Sequence, residues 1–288
     1  MIMFSTLRLT KINLYKHMGT VNFWTPFVLA IAAVYEFSHS LSDMATYYSI
    51  PVNGFSIAFL FTSLNQVFII FLGVFILFSD LPFKDNQQMF LISRSGKRAW
   101  IFSQVIYVIF VSLIYFLFTF VCYCIALFPH IGFSADSWGK IIKTISATDA
   151  SNKFNVLFNP TSNVLSDFSP LEAFVYSFGT AYAISVILGL VVLLFNLTVK
   201  HNVGVIVSGA MVFVYMFVYM GGGNIMYYFS PLNWCSILVA DKNGITARPD
   251  VSWIITVLCI FFAAEIVVLF AFGSKKIKFV LDTKGDVT

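Results

Sequence analysis

The residues of this 288-residue chain that could do chemistry are few and widely spaced. His17, His39, His130 and His201 fall in stretches that read as tails or connections, and none is followed by the glutamate of a His-Glu-x-x-His zinc site. Gly54-Phe55-Ser56-Ile57-Ala58 lacks the second glycine of a nucleophile elbow, and no histidine lies in an apolar run to serve Ser56. The Gly-Lys pairs at 96–97 and 139–140 lack the glycine five residues upstream that a phosphate-binding loop needs. Cys122 and Cys124 point to different faces of a helix, and Cys235 and Cys259 are far apart, so the four cysteines read as unpaired and structural. The expectation is a chain with no catalytic residue, no cofactor or metal of its own and no ATPase motif: not an enzyme.

Glu265 stands apart, because it interrupts an otherwise apolar run near the C-terminus. An acidic side chain at the centre of a membrane span costs roughly 2.5–3.5 kcal/mol on insertion scales, so it must face protein or water, or carry a proton. A part in substrate passage or coupling and a structural hydrogen bond to a neighbouring helix are both open readings. Glu36 lies nearer a span end, while Asn65, Gln66 and Gln104 read as interhelical hydrogen bonders.

The elements that would position these residues are membrane spans. The chain is 59% hydrophobic and only 10% charged, too few charges to cover a soluble surface. Six runs are apolar all round and long enough to cross a bilayer as helices, which argues against a β-barrel. They cover about 21–37, 55–79, 101–128, 173–195, 203–221 and 252–272. The expected fold is an all-α polytopic membrane protein with external loops over 129–172 and 222–251 and a basic tail over 273–288. Six crossings put both termini on one side. That side carries twelve of the 17 Lys and Arg residues, the exceptions being Lys140, Lys143, Lys153, Lys242 and Arg248. By the positive-inside rule it is cytoplasmic, so the net charge of +4 reports topology rather than nucleic-acid binding.

The connections carry further signals. Residues 1–20 mix Arg8, Lys11 and Lys16 with Leu7, Leu14 and Tyr15, as a helix lying in the membrane interface would. After the second span, Met89-Phe90-Leu91-Ile92 runs into a basic turn with Arg94, Lys97 and Arg98. A small helix gripped by a partner protein and a plain orienting loop fit that composition equally. In the first external loop, Trp138, Ile141, Ile142 and Ile145 recur at helical spacing and predict a short amphipathic helix, either a cap or a spacer. Gly221-Gly222-Gly223 ends the fifth helix, and the aromatic segment after it is expected to dip into the outer leaflet. Gly179 with Ala183, and Gly204 with Ser208, have the spacing that lets helix backbones approach.

This order of parts resembles the membrane subunits of type-two ABC exporters over essentially the whole chain. Leu91-Ile92-Ser93-Arg94-Ser95-Gly96-Lys97-Arg98 is similar to the family's segment leading from the coupling helix into the third span. Phe229-Ser230-Pro231-Leu232-Asn233-Trp234 is similar to the segment after its fifth span. The resemblance implies a homo- or heterodimer of six-span permease subunits in a bacterial plasma membrane. Separate ABC ATP-binding subunits would bind ATP with Mg, and Met89, Phe90, Leu91, Arg94, Lys97 and Arg98 would couple them to the spans. The cargo would be hydrophobic or amphipathic: a peptide, a drug-like compound or a lipid. The family's larger insertion usually lies between spans five and six, whereas here the loop between spans three and four is longer. An ion-coupled secondary transporter with Glu265 as proton site, and a non-transporting sensor or assembly subunit, are the alternatives.

Overall fold

The computed structural model describes residues 2–83, 88–199, 203–221, 223–244 and 246–273. The expected basic tail, apart from Gly273, lies outside them, as do Lys84, Lys200 and His201. The chain is an all-α polytopic membrane protein. Its main helices are α1 (Ile2–Met18), α2 (Val21–Tyr48), α3 (Leu64–Phe78), α4 (Gln88–Ser95) and α5 (Lys97–Leu127). Three short helices follow, α6 (Gly139–Ala147), α7 (Ala150–Lys153) and α8 (Ser162–Asp167). The chain closes with α9 (Pro170–Thr198), α10 (Val203–Gly221) and α11 (Val251–Val268), the last running into a π-helical turn, Leu269–Gly273. Among the described residues five helices, α2, α5, α9, α10 and α11, are long and apolar enough to cross a membrane alone.

The first span is longer than its hydropathy suggests. Its apolar run fades after Phe37, but α2 continues through Ser38, His39, Ser40 and Asp43 to Tyr48. Ser49 then takes the left-handed conformation (φ 52°) and its N–H closes the helix on the carbonyls of Ala45 and Thr46. Twenty-eight residues make about 42 Å of helix, more than the ~30 Å hydrocarbon core, so the polar turns stand outside it.

The second apolar run, expected as one spanning helix over 55–79, is broken. A 3₁₀ helix, Gly54–Thr62, meets α3 at 91°. Asn53 caps the start of the 3₁₀ helix: its side chain accepts from the Phe55 N–H at 3.1 Å and its amide donates to the carbonyls of Ser134 and Ser137, while the bend itself falls at Ser63. A 3₁₀ run this long is uncommon because its side chains eclipse every three residues. Here Ser56 through Thr62 are all buried, so packing rather than propensity holds the segment. Irregular backbone at membrane depth is tolerated where protein covers it.

The 129–169 connection supplies that cover. Strands β1 (Val52–Asn53) and β2 (Ile131–Gly132) pair in parallel. Trp138, Ile141, Ile142 and Ile145 are buried, as the helical spacing predicts, and α6 packs against β1. Trp138 donates its indole N–H to the carbonyl of Phe168, and its ring lies 5.1 Å from that of Phe59. Ser63 bonds the carbonyl of Leu157 and Ser40 that of Asn155. The loop is a cap over the bent span rather than a spacer.

The opposite end gathers the junctions between α1 and α2, α3 and α4, α4 and α5, and α9 and α10. Asn22, at the start of α2, donates to both carboxylate oxygens of Asp80. Asn196 near the end of α9 donates to the Leu81 carbonyl at 2.6 Å and accepts from the Gly204 N–H at 2.9 Å. A Cβ on Gly204 would sit 2.5 Å from the Val192 carbonyl oxygen, so one member of the expected small-residue pair lies at a true close approach.

Helix α1 lies across this end on a stripe of Thr6, Leu9, Thr10, Asn13 and His17, all buried and spaced three or four apart. Thr10 donates to the carbonyl of Ser103 on α5. Leu7, Tyr15 and Met18 remain exposed together with Arg8 and Lys11. Helix α1 is therefore docked on protein through an uncharged, mostly polar stripe, and Leu7, Tyr15, Met18, Arg8 and Lys11 face outward.

Candidate functional site

Glu265 lies on the one stripe of α11 that touches protein. Of the 18 residues of this helix, Ile254, Leu258 and Glu265 alone are buried, and Leu269 continues the line. Glu265 is 8% exposed and its Oε2 has no hydrogen-bond partner. Buried polar atoms are bonded in the great majority of cases, so this one is unusual. The structural hydrogen bond to a neighbouring helix, one of the two open readings, is not made by this oxygen. The carboxylate lines a cavity of about 110 Å³ with Ile184, Ile187, Leu188, Val191, Met211, Pro231, Trp234, Leu258 and Phe261.

The aromatic segment after α10 builds one wall of that cavity. It forms two 3₁₀ turns, Asn224–Phe229 and Pro231–Cys235. The first leaves Ile225 and Phe229 exposed, whereas Leu232, Asn233, Trp234 and Cys235 of the second are buried against α9 and α10. The hydroxyl of Tyr176 donates to the Trp234 carbonyl at 2.7 Å and fixes the second turn on α9.

A larger groove of about 620 Å³ runs between α9 and α11, with Leu258 common to both spaces. Val175, Tyr176, Gly179, Thr180, Ala183, Ile255 and Cys259 line it, and Glu172 and Lys242 stand at one end. Lys242 Nζ pairs with Glu172 at 2.8 Å and also donates to the carbonyl of Asp167. Gly179 and Ala183, expected at a helix contact, instead open this groove. A Cβ on Gly179 would meet nothing within 4 Å.

The expected coupling residues sit on a helix and its turn. Ile92 of α4 is buried, whereas Phe90 is 78% exposed and Arg94 and Arg98 are exposed beside it. Gly96, at φ 86°, turns the chain into α5, a conformation that favours glycine. Lys97 is half-buried at the first position of α5. The side chains of Met89 and Leu91 lie outside the described residues.

Sequence reading missed His17, which looks like part of a basic tail but is 1% exposed. Its Nδ1 shares a hydrogen bond with the hydroxyl of Tyr107, and its ring packs on Phe23 and Phe83. Burial pushes its pKa down to about 4, against a smaller opposing pull from Asp80. The signal was available in the stripe that ends on it, Thr6-Leu9-Thr10-Asn13-His17, which was masked by the surrounding lysines.

All four cysteines are free, and among the described residues no three His, Cys, Asp or Glu side chains group as metal ligands would. Comparison with family models, with curated proteins and with solved structures returns no match.

Proposed function

We propose that the chain is the membrane-spanning permease subunit of an ATP-driven exporter in a bacterial plasma membrane, with the α1–α4 end in the cytoplasm. The observation that carries this reading is α4. A helix pinned through Ile92 between α1 and α5 offers Phe90, Arg94 and Arg98 to the exterior. An exposed phenylalanine followed one turn later by an arginine is a composition enriched at protein–protein contacts. Its connection through the Gly96 turn to α5, a 31-residue helix, links that contact to the span bundle. ATP and Mg belong to separate ATP-binding subunits, and a second permease subunit completes the unit. The cargo is a hydrophobic or amphipathic peptide, drug-like compound or lipid, in keeping with the apolar groove between α9 and α11.

Purification in mild detergent tests the reading directly: an ATP-hydrolysing subunit is expected to accompany the chain in stoichiometric amount. Replacing Arg94, Lys97 and Arg98 together by alanine is expected to release it. A chain that transports alone in liposomes under a proton gradient overturns the proposal. That outcome would favour the ion-coupled reading, for which the unpartnered Glu265 carboxylate is the supporting observation.

A further inference from the structure

The carboxylate of Glu265 has a cavity in front of it. Among the described residues no lysine, arginine or histidine lines that cavity, and its other walls are apolar. Trp234 already spends its indole N–H on the Tyr227 carbonyl, at 2.6 Å, so its ring contributes a π surface and no free donor. Phe261 supplies a second ring and is half-exposed, so the cavity reaches the surface of the bundle there. A carboxyl group beside two aromatic rings in an apolar setting, its ionised form stabilised by an incoming positive charge, is the chemistry that recognises an organic cation.

We propose that this cavity binds the ammonium head of a lipophilic organic cation whose apolar body lies in the groove between α9 and α11. Its 110 Å³, against 620 Å³ for the groove, suits a small ammonium head and not a whole amphiphile. The adjoining groove, on the far side of Leu258, is several times larger and apolar apart from the Glu172–Lys242 pair at one end. A bare metal cation fits less well, since a hard ion takes six or more oxygen ligands and the cavity offers one carboxylate. A proton needs neither the aromatic walls nor the groove. As an assignment of cargo the inference rests on the exporter reading; as a binding site it stands without it.

Calorimetric titration of the purified full chain in zwitterionic nanodiscs with hexyltrimethylammonium tests the site, with empty nanodiscs as baseline. Saturable binding is expected, and the uncharged tert-butyl analogue of the probe is expected to give none. Glu265→Gln is expected to weaken binding at least tenfold. Ile187→Trp keeps the carboxylate but fills the cavity from a half-buried position, and is expected to weaken binding to a similar extent. It also answers the question should Glu265→Gln fail to fold. Absent binding by the unaltered chain, equal binding of the uncharged analogue, or unchanged binding by either folded variant overturns the proposal. A chain that binds the cation but brings down no ATPase keeps this site and loses the exporter reading. One that brings down an ATPase and ignores the cation does the reverse.

Discussion

Phe158 stacks on Phe59, ring centroids 4.7 Å apart and planes 7° from parallel, and so joins the 129–169 cap to the bent second span. Phe37 of α2 stacks on the same Phe158 ring, centroids 5.3 Å apart. One side chain from a polar loop thus sits between two membrane segments. Phe158 is 5% exposed, and truncating a buried phenylalanine typically costs 3–5 kcal/mol. Phe158→Ala is expected to lower the unfolding midpoint in detergent and to speed hydrogen exchange over 54–62 and 139–147 together. Faster exchange in the cap alone would mean that the cap does not stabilise the bent segment.

Asn196 holds three helix ends with one side chain. Its amide donates to Leu81 and its carbonyl accepts from Gly204, both inside the protein. Asn196→Leu removes both partners and leaves a carbonyl and an N–H unsatisfied, at about 1–3 kcal/mol each. A loss of roughly 2–6 kcal/mol in detergent unfolding is the expected result. Asn196→Gln displaces the amide by one methylene and is expected to fall between the two. If Asn196→Leu unfolds like the unaltered chain, the node contributes nothing to joining α9 to α10.

Length and apolarity made five single-helix spans readable, because a helix in lipid must satisfy its own backbone and so advertises itself as a long apolar run. The bend after Thr62 was not read, because the polar cluster Thr62-Ser63-Leu64-Asn65-Gln66 that marks it interrupts an otherwise apolar run only briefly, and the bond of Ser63 to the Leu157 carbonyl lies far along the chain. The amphipathic helix at 139–147 was readable from isoleucine spacing, while its role as a cap needed Phe158 and Trp138 in place. Glu265 was legible as an anomaly of composition. The vacancy of its Oε2 and the wall formed by Trp234 depend on tertiary packing. Gly179 and Gly204 carry the same sequence signal, yet one opens a groove and the other closes on Val192.

The His17–Tyr107 contact makes the docking of α1 sensitive to pH. The folded protein holds the imidazole neutral, with its pKa near 4, whereas the unfolded chain titrates at the ordinary 6.5. A depressed histidine pKa contributes its full stability above 6.5 and loses it as pH falls toward 4, because the unfolded state then binds the extra proton. At about 1.4 kcal/mol per unit, the loss is on the order of 3 kcal/mol across that window. Hydrogen exchange over residues 2–18 is expected to rise between pH 7 and pH 4.5. His17→Phe suits the rings of Phe23 and Phe83, and should flatten that dependence while costing about 1–3 kcal/mol for the stranded Tyr107 hydroxyl. An unchanged pH profile in His17→Phe would assign the sensitivity to other groups.

Phe90 separates the partner reading of α4 from the loop reading. At 78% exposed it adds little to the packing of the chain that carries it, and surface substitutions of this kind usually stay within about 0.5 kcal/mol. Ile92, one face away and 7% exposed, anchors the helix instead. Phe90→Ala is therefore expected to leave the unfolding midpoint unchanged and to weaken capture of the ATPase subunit by tenfold or more, the scale of an interface hot spot above about 1.4 kcal/mol. Ile92→Ala should lower both, because a displaced helix cannot present Phe90. A Phe90→Ala chain that keeps its ATPase and its export activity would mean that α4 orients the protein in the membrane and grips no partner.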